Sequence, residues 1–296
     1  MSLLSRLFLL VAIALLPVIA IQACNEVALF RARQVETQDQ ALALAKLAAA
    51  EQRHFIQGIR QTLIALSEFP GIKSKDIPAC SAYLSAIKDR YPAFLSFFVT
   101  DTTGATFCDT AGARCTPVSG AGRSYISIAL QTGVFRVGEY SVGRLTRRNV
   151  IHFAMPFYAD DRRMGGAVVV PLSLDWLAAE LASKNVPPGG AIAILDRDGT
   201  YLARYPDNGR FVGTKTLKDD PSNSTREGVS DTHDRDGVER ITGYSMLSAD
   251  SGELRISFGL EKAQVFESSH VPMLSQPREV LDVIRRAAAA VAVARV

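Results

Sequence analysis

The sequence predicts an α+β fold in which one sheet-centred unit with antiparallel strands is built twice behind a long N-terminal helix. Three observations carry that prediction. A turn recurs: ILDRDGTYLARY (194–205) and VTDTTGATFCDT (99–110) each run an apolar strand into Asp-x-x-Gly and out into a second strand. Asp101 matches Asp196 and Gly104 matches Gly199, so each pair is 196 − 101 = 95 positions apart. An exit recurs too: Leu174-Asp175 opens a helix after the last strand of the first half, and Leu260-Glu261 does so in the second, 260 − 174 = 86 positions later. Finally, residues 27–68 hold no proline, glycine only at Gly58, and many Ala, Leu, Gln, Glu and Arg, which is the composition of a long helix.

Upstream of that helix, residues 7–25 carry no Asp, Glu, Lys, Arg or His. The run is long enough to cross a hydrocarbon core of about 30 Å as a helix. It reads as a membrane signal anchor over 1–26, with a removed signal peptide and a lipid-attachment box ending at Cys24 as alternatives. The remainder is then exported. Export gives the cysteines a disulfide-permissive setting, and Cys80 with Cys108 is the expected pair, worth roughly 3 to 4 kcal/mol through loop closure. Buried free thiols are the alternative, and Cys115 is left odd.

A heptad fits residues 27–69, with Val35, Leu42, Ala49, Ile56 and Leu63 at one apolar position and Gln38, Ala45, Gln52, Ile59 and Leu66 at the other. This stripe pairs either with a second copy in a dimer or with the chain's own globular part. Phe69-Pro70-Gly71 ends it. A short helix starts at Ile77-Pro78 with Asp76 as its cap. Strands follow at 94–101, 105–110, 134–142, 149–158 and 166–174, with a helical piece over 125–132. Pro187-Pro188-Gly189-Gly190 separates a first unit, 70–186, from a second, 187–265. The second unit places strands at 191–196, 200–205, 238–247 and 253–260 around a polar loop, 207–236.

The phrases GRSYISIALQTGVFRVGEY (122–140), MPFYADDRRMGGAVVVPLSLDWL (155–177), ILDRDGTYLARYPDNGRFVG (194–213) and GVERITGYSML (237–247), in that order, resemble the double Cache sensor domain of bacterial transmembrane receptors. The resemblance covers residues 27–265 and implies two PAS-like modules, a membrane-distal one (70–186) and a membrane-proximal one (187–265). It implies small-molecule sensing in the periplasm by a protein of the inner membrane, as a homodimer, with the ligand in the distal module. By position, Arg123 and Tyr125 match an Arg-x-aromatic segment facing the distal pocket, and Tyr140 matches a tyrosine on the strand opposite. An arginine fork holds a carboxylate bidentately. Members that bind amino acids grip the ammonium with aspartates, and the matching positions here are Gly143 and Pro171. A carboxylate or another anion is therefore the expected ligand. His152 and Tyr158 have like parity on one strand, so they share a face and join the candidate set.

Other functions find little support. A net charge of +3 with 21% charged residues does not mark a nucleic-acid binder. Arg144, Arg147 and Arg148 read as a solvated hairpin tip. No G-x-S-x-G elbow, H-E-x-x-H helix or phosphate loop is present, so neither catalysis nor a cofactor is expected. His233 with Asp231, Asp234 and Asp236 reads as a solvated turn rather than a metal site, and Asp196-Arg197-Asp198-Gly199 as a turn rather than a calcium loop. The tail, 266–296, shows no second run long enough to span a bilayer. The rival reading is a ligand-free interaction module that partners another receptor.

Overall fold

A computed structural model describes residues 3–110, 120, 122–144, 146–217, 226–247 and 254–263. The expectations for Cys115 and for the tail lie outside these residues. Two antiparallel sheets organise the chain. The first contains β1 (Phe98–Thr100), β2 (Thr106–Asp109), β3 (Arg136–Val137), β4 (Ser141–Val142), β5 (Asn149–Tyr158) and β6 (Met164–Ser173). Its strand order is β2-β1-β6-β5-β3, with β4 also pairing β5. The second contains β7 (Ala191–Leu195), β8 (Tyr201–Tyr205), β9 (Glu227–His233), β10 (Glu239–Met246) and β11 (Arg255–Glu261) in the order β8-β7-β11-β10-β9. The two orders correspond strand for strand, with an opening hairpin at one edge and the closing strand beside the first.

The recurring turn has one geometry in both sheets. The Asp101 Oδ1 accepts the Thr103 and Ala105 N–H groups at 2.8 and 3.0 Å, and the Asp196 Oδ1 accepts those of Asp198 and Thr200 at 3.0 and 2.8 Å. Gly104 and Gly199 sit at φ +83° and +73°, a left-handed conformation that glycine adopts without penalty. In both copies the aspartate Oδ1 serves its own turn.

Two sequence expectations are corrected. The single strand over 134–142 is two short strands, because residues 138–140 leave the ladder between β3 and β4. The polar loop over 207–236 contains a helical turn, α6 (Asn208–Phe211), and the edge strand β9. Strand β9 reads EGVSDTH, which has no apolar alternation to reveal it, and among the described strands it pairs only with β10.

Helix α1 (Leu3–Ser67) is continuous from the apolar N-terminal run into the predicted long helix. Among the described residues no helix is long and apolar enough to cross a membrane. From Ala41 onward α1 buries Ala45, Ala49, Gln52, Ile56, Ile59, Leu63 and Leu66, seven of the ten stripe positions, against β5 and β6 of the first sheet and β10 and β11 of the second. One helix therefore serves both modules. The helix approaches closely at Gly243 of β10, where a Cβ would overlap the Ala41 carbonyl. Earlier in the helix Val35 is exposed. Helix α2 (Pro70–Lys73) follows the predicted stop. Helix α3 (Ile77–Lys88) begins as expected, with the Asp76 carboxylate accepting the Ala79 N–H at 3.1 Å. A Cys80–Cys108 disulfide, Cα atoms 6.3 Å apart, ties α3 to β2. Cys24 is an exposed free thiol.

Helix α4 (Ser124–Thr132) covers the other face of the first sheet. Its Tyr125, Ile126 and Ala129 pack on Ala154, Ala167 and Val169. Helix α5 (Leu174–Ala182) is capped by Ser173 and leads to the Pro-Pro-Gly-Gly break.

Candidate functional site

The face of the first sheet away from α1 is only partly covered by α4, and a cavity of about 100 Å³ lies beside the start of that helix. A single water needs roughly 10 to 15 Å³ on this scale, so the space holds several waters or one small organic molecule. Phe98 and Asp109 line it from β1 and β2, Val150 and His152 from β5, Pro171 from β6, and Arg144 from the β4–β5 hairpin. Arg123 and Tyr125 enter from the first turn of α4, where Arg123 is the N-cap in extended conformation.

Burial sets the charge state of this wall. The Tyr125 ring stacks on His152 with centroids 4.9 Å apart and planes 11° apart, and Phe98 meets the imidazole edge-on. Burial, helped by the Arg123 charge, pushes the His152 pKa down to about 3, so the imidazole is neutral at physiological pH. Its Nδ1 lies 3.2 Å from the Ser141 Oγ. Burial pushes the Tyr125 hydroxyl up to about 12, against the pull of Arg123 and Arg144. Arg123 is half-buried, and no acidic side chain among the described residues pairs with it. A cation beside a neutral apolar wall suits an anionic ligand.

Three of the five expected residues, Arg123, Tyr125 and His152, line this cavity. Tyr140 and Tyr158 do not, which corrects their inclusion. Tyr140 lies just outside the ladder between β3 and β4, so strand parity does not carry over to it. Its hydroxyl donates to the Asn149 Oδ1 at 2.8 Å, and its ring packs on Gly213 of the second module. Tyr158 does share the face of His152, but six residues along a strand is about 20 Å. It sits 46% exposed at the far end of β5, its hydroxyl against Gly133 at the close of α4. Gly143 and Pro171, where the resemblance would place aspartates, both line the cavity.

Asp109 and Arg144 are the charged lining residues that sequence reasoning did not place at a site. Arg144 is exposed on its hairpin, as the sequence led one to expect, and also lines the cavity. Asp109 follows Cys108 directly, so the disulfide fixes the backbone next to it. That pairing was the available signal.

In the second module the corresponding face is closed by its own side chains. Arg204 of β8 and Arg240 of β10, 1% and 2% exposed, meet Asp234 and Asp236. Arg204 Nη2 bonds Asp234 and Asp236 at 2.7 Å each, and Arg240 Nη1 bonds them at 3.2 and 2.8 Å. Arg204 also lies 4.0 Å over the Phe211 ring. Burial alone raises the Asp236 pKa, but hydrogen bonds from Arg240, the Val238 N–H and Arg204 hold it far below the usual carboxylate range. Asp234 and Asp236, read as part of a solvated turn, are instead half of an ion-pair cluster, whereas Asp231 is exposed and meets Lys262 at 2.9 Å. The space left is about 20 Å³.

No family model matches the sequence, and no curated protein sequence does either. Similarity appears in solved structures. The extracellular domain of rpHK1S-Z16, described as a histidine kinase, superposes with a TM-score of 0.68 at 18% identity, over 80% of this chain and 98% of that one. The ligand-binding domain of the Pseudomonas fluorescens chemoreceptor CtaA in complex with L-isoleucine gives 0.64 at 18% identity, over 81% and 98%. That of the Pseudomonas aeruginosa PAO1 amino-acid chemoreceptor PctB in complex with L-arginine gives 0.63 at 18%, over 77% and 97%. The chain has the fold of the extracellular double Cache sensor domains.

Proposed function

We propose that this chain is an extracytoplasmic sensor held at the cell membrane by its N-terminal helix, which binds a small carboxylate or similar anion in the first module. The observation that carries the reading is the half-buried Arg123 fork at a cavity whose aromatic wall is neutral. The similar chemoreceptor domains were solved with amino acids and with GABA, which supports a small-molecule ligand. Among the described lining residues two arginines stand against one carboxylate, Asp109, and the positions for ammonium-gripping aspartates are glycine and proline. That balance favours an anion over an α-amino acid. The sensor carries no catalytic activity of its own and works as a homodimer through the part of α1 before Ala41, where Val27, Leu29 and Val35 are exposed.

The test is thermal unfolding of the full chain in detergent against monocarboxylates of two to five carbons, dicarboxylates, amino acids, amines and purines. Carboxylates are expected to raise the unfolding temperature of wild type and not of Arg123→Ala. Stabilisation by amines or purines alone would overturn the ligand class. No response to any compound would favour a ligand-free interaction module.

A further inference from the structure

The segment joining β3 to β4 faces two ways. Toward the cavity, the Gly138 N–H donates to the His152 carbonyl at 2.7 Å, a Cβ on Gly138 would meet the Tyr125 ring at 2.9 Å, and Ser141 reaches the His152 imidazole. Toward the second module, the Tyr140 N–H donates to the Asp196 Oδ2 at 3.1 Å, and Glu139 forms an ion pair with Arg197. Asp196 is 2% exposed, and its other oxygen holds the turn between β7 and β8. Glu139 also accepts the Ser124 hydroxyl at 3.4 Å, at the start of the helix that carries Arg123 and Tyr125. The start of α4 and the β3–β4 segment therefore meet at Glu139, and Glu139 meets the second module at the Asp196-Arg197 turn.

We infer that residues 138–141 are the mechanical joint between the cavity and the second module, with Glu139 as a positioning residue that locks the first turn of α4 and the β3–β4 segment to the Asp196–Gly199 turn. This rests on the sensing reading for its purpose, but not for its geometry. A ligand that draws Arg123 or Tyr125 inward moves Ser124 or Gly138, and the shared carboxylate passes the displacement to Arg197. The recurring Asp-x-x-Gly turn then does different work in its two copies. In the first module Asp101 bonds its own turn. In the second, Asp196 spends one oxygen on its turn and the other on the neighbouring module.

Amide hydrogen exchange of the full chain in detergent tests the joint without a ligand. In Arg197→Ala and in Glu139→Gln, the Gly138 and Ser127 amides are expected to exchange about two- to fivefold faster, the scale of a half-exposed ion pair. In Arg197→Lys they should stay near wild type. Unchanged exchange at Gly138 and Ser127 in both disrupting variants would overturn the proposal, as would equal acceleration throughout both sheets. Repeating the measurement with sodium propionate separates the joint from the sensing reading. Added protection of Thr200 in wild type but not in Arg197→Ala supports both. No propionate effect anywhere counts against this carboxylate as ligand and leaves the ligand-free comparison to decide the joint.

Discussion

The two modules share a strand order and a turn, yet they treat the same sheet face in opposite ways. The first leaves a cavity of about 100 Å³ with the Arg123 fork at its edge; the second fills the equivalent space with Arg204, Arg240, Asp234 and Asp236 down to about 20 Å³. A fold that can enclose a ligand can equally enclose its own ions. The choice lies in side chains that cost the fold little in one copy and hold it together in the other. Among the described residues Arg123 pairs with no acidic side chain, whereas Arg204 and Arg240 each meet two carboxylates.

The largest effect should come from breaking the filled face. Arg240→Ala leaves two largely buried carboxylates sharing one arginine, and removal of one partner from a buried ion cluster costs about 3 to 5 kcal/mol. Denaturant unfolding would measure it. Replacing all four charged residues by apolar ones of similar volume should recover most of the loss, because the desolvation cost leaves with the charges. If Arg240→Ala costs under about 1 kcal/mol, the cluster is solvated and the contrast between the modules fails.

Close behind comes the disulfide, which belongs to the first module alone. Its cysteines are 28 positions apart, and loop-closure entropy for that span is about 3 to 4 kcal/mol. Cys80→Ala with Cys108→Ala, compared by denaturant unfolding under oxidising conditions, should show a loss of that size. The exchange rates that change first should lie in β1, β2 and α3, not in the second sheet.

Acid should separate the modules by pH. His152 has its folded pKa depressed to about 3 against about 6.5 unfolded, so the unfolded chain takes up a proton that the native state refuses. Stability of the first module is then full above about pH 6.5 and falls as the pH drops toward 3, by about 2 kcal/mol between pH 7 and pH 5. Asp236 also has a lowered folded pKa, but a carboxylate's contribution is lost only below the unfolded value of about 3.9. The second module should therefore hold through the range in which the first weakens. His152→Phe should remove the slope between pH 7 and 5, and a slope that survives the substitution assigns it to another group.

Much of this contrast was hidden in the sequence for a physical reason. The recurring turn was legible because Asp101 and Asp196 act within four residues of themselves, and the α1 stripe because a helix repeats its buried face locally. The stripe could not say whether it faced a partner or its own sheets, since both demand the same apolar spacing. Arg204 lies 30 and 32 positions from Asp234 and Asp236, in a segment without apolar periodicity, so nothing local announced the cluster. Arg123, Tyr125 and His152 were found through the family resemblance and strand parity. Parity gave Tyr158 its face but not its distance, and it had no hold on Tyr140 outside the ladder.

The smallest change in stability is expected where the change in function is greatest. Arg123→Ala removes a half-buried cation that no acidic side chain among the described residues pairs with, so no partner is stranded and no cluster collapses. Its cost should stay within about 0.5 kcal/mol, the range of a surface substitution. The His152 pKa should rise in the variant, because burial is the larger cause of its depression but the Arg123 charge adds to it. Titration of the imidazole by NMR would check this. An upward shift with stability unchanged identifies Arg123 as a charge held beside the cavity for something other than the fold. A loss comparable to that of Arg240→Ala would mean that both modules use arginine in the same structural way, and the contrast between an open face and a filled one would have no energetic counterpart.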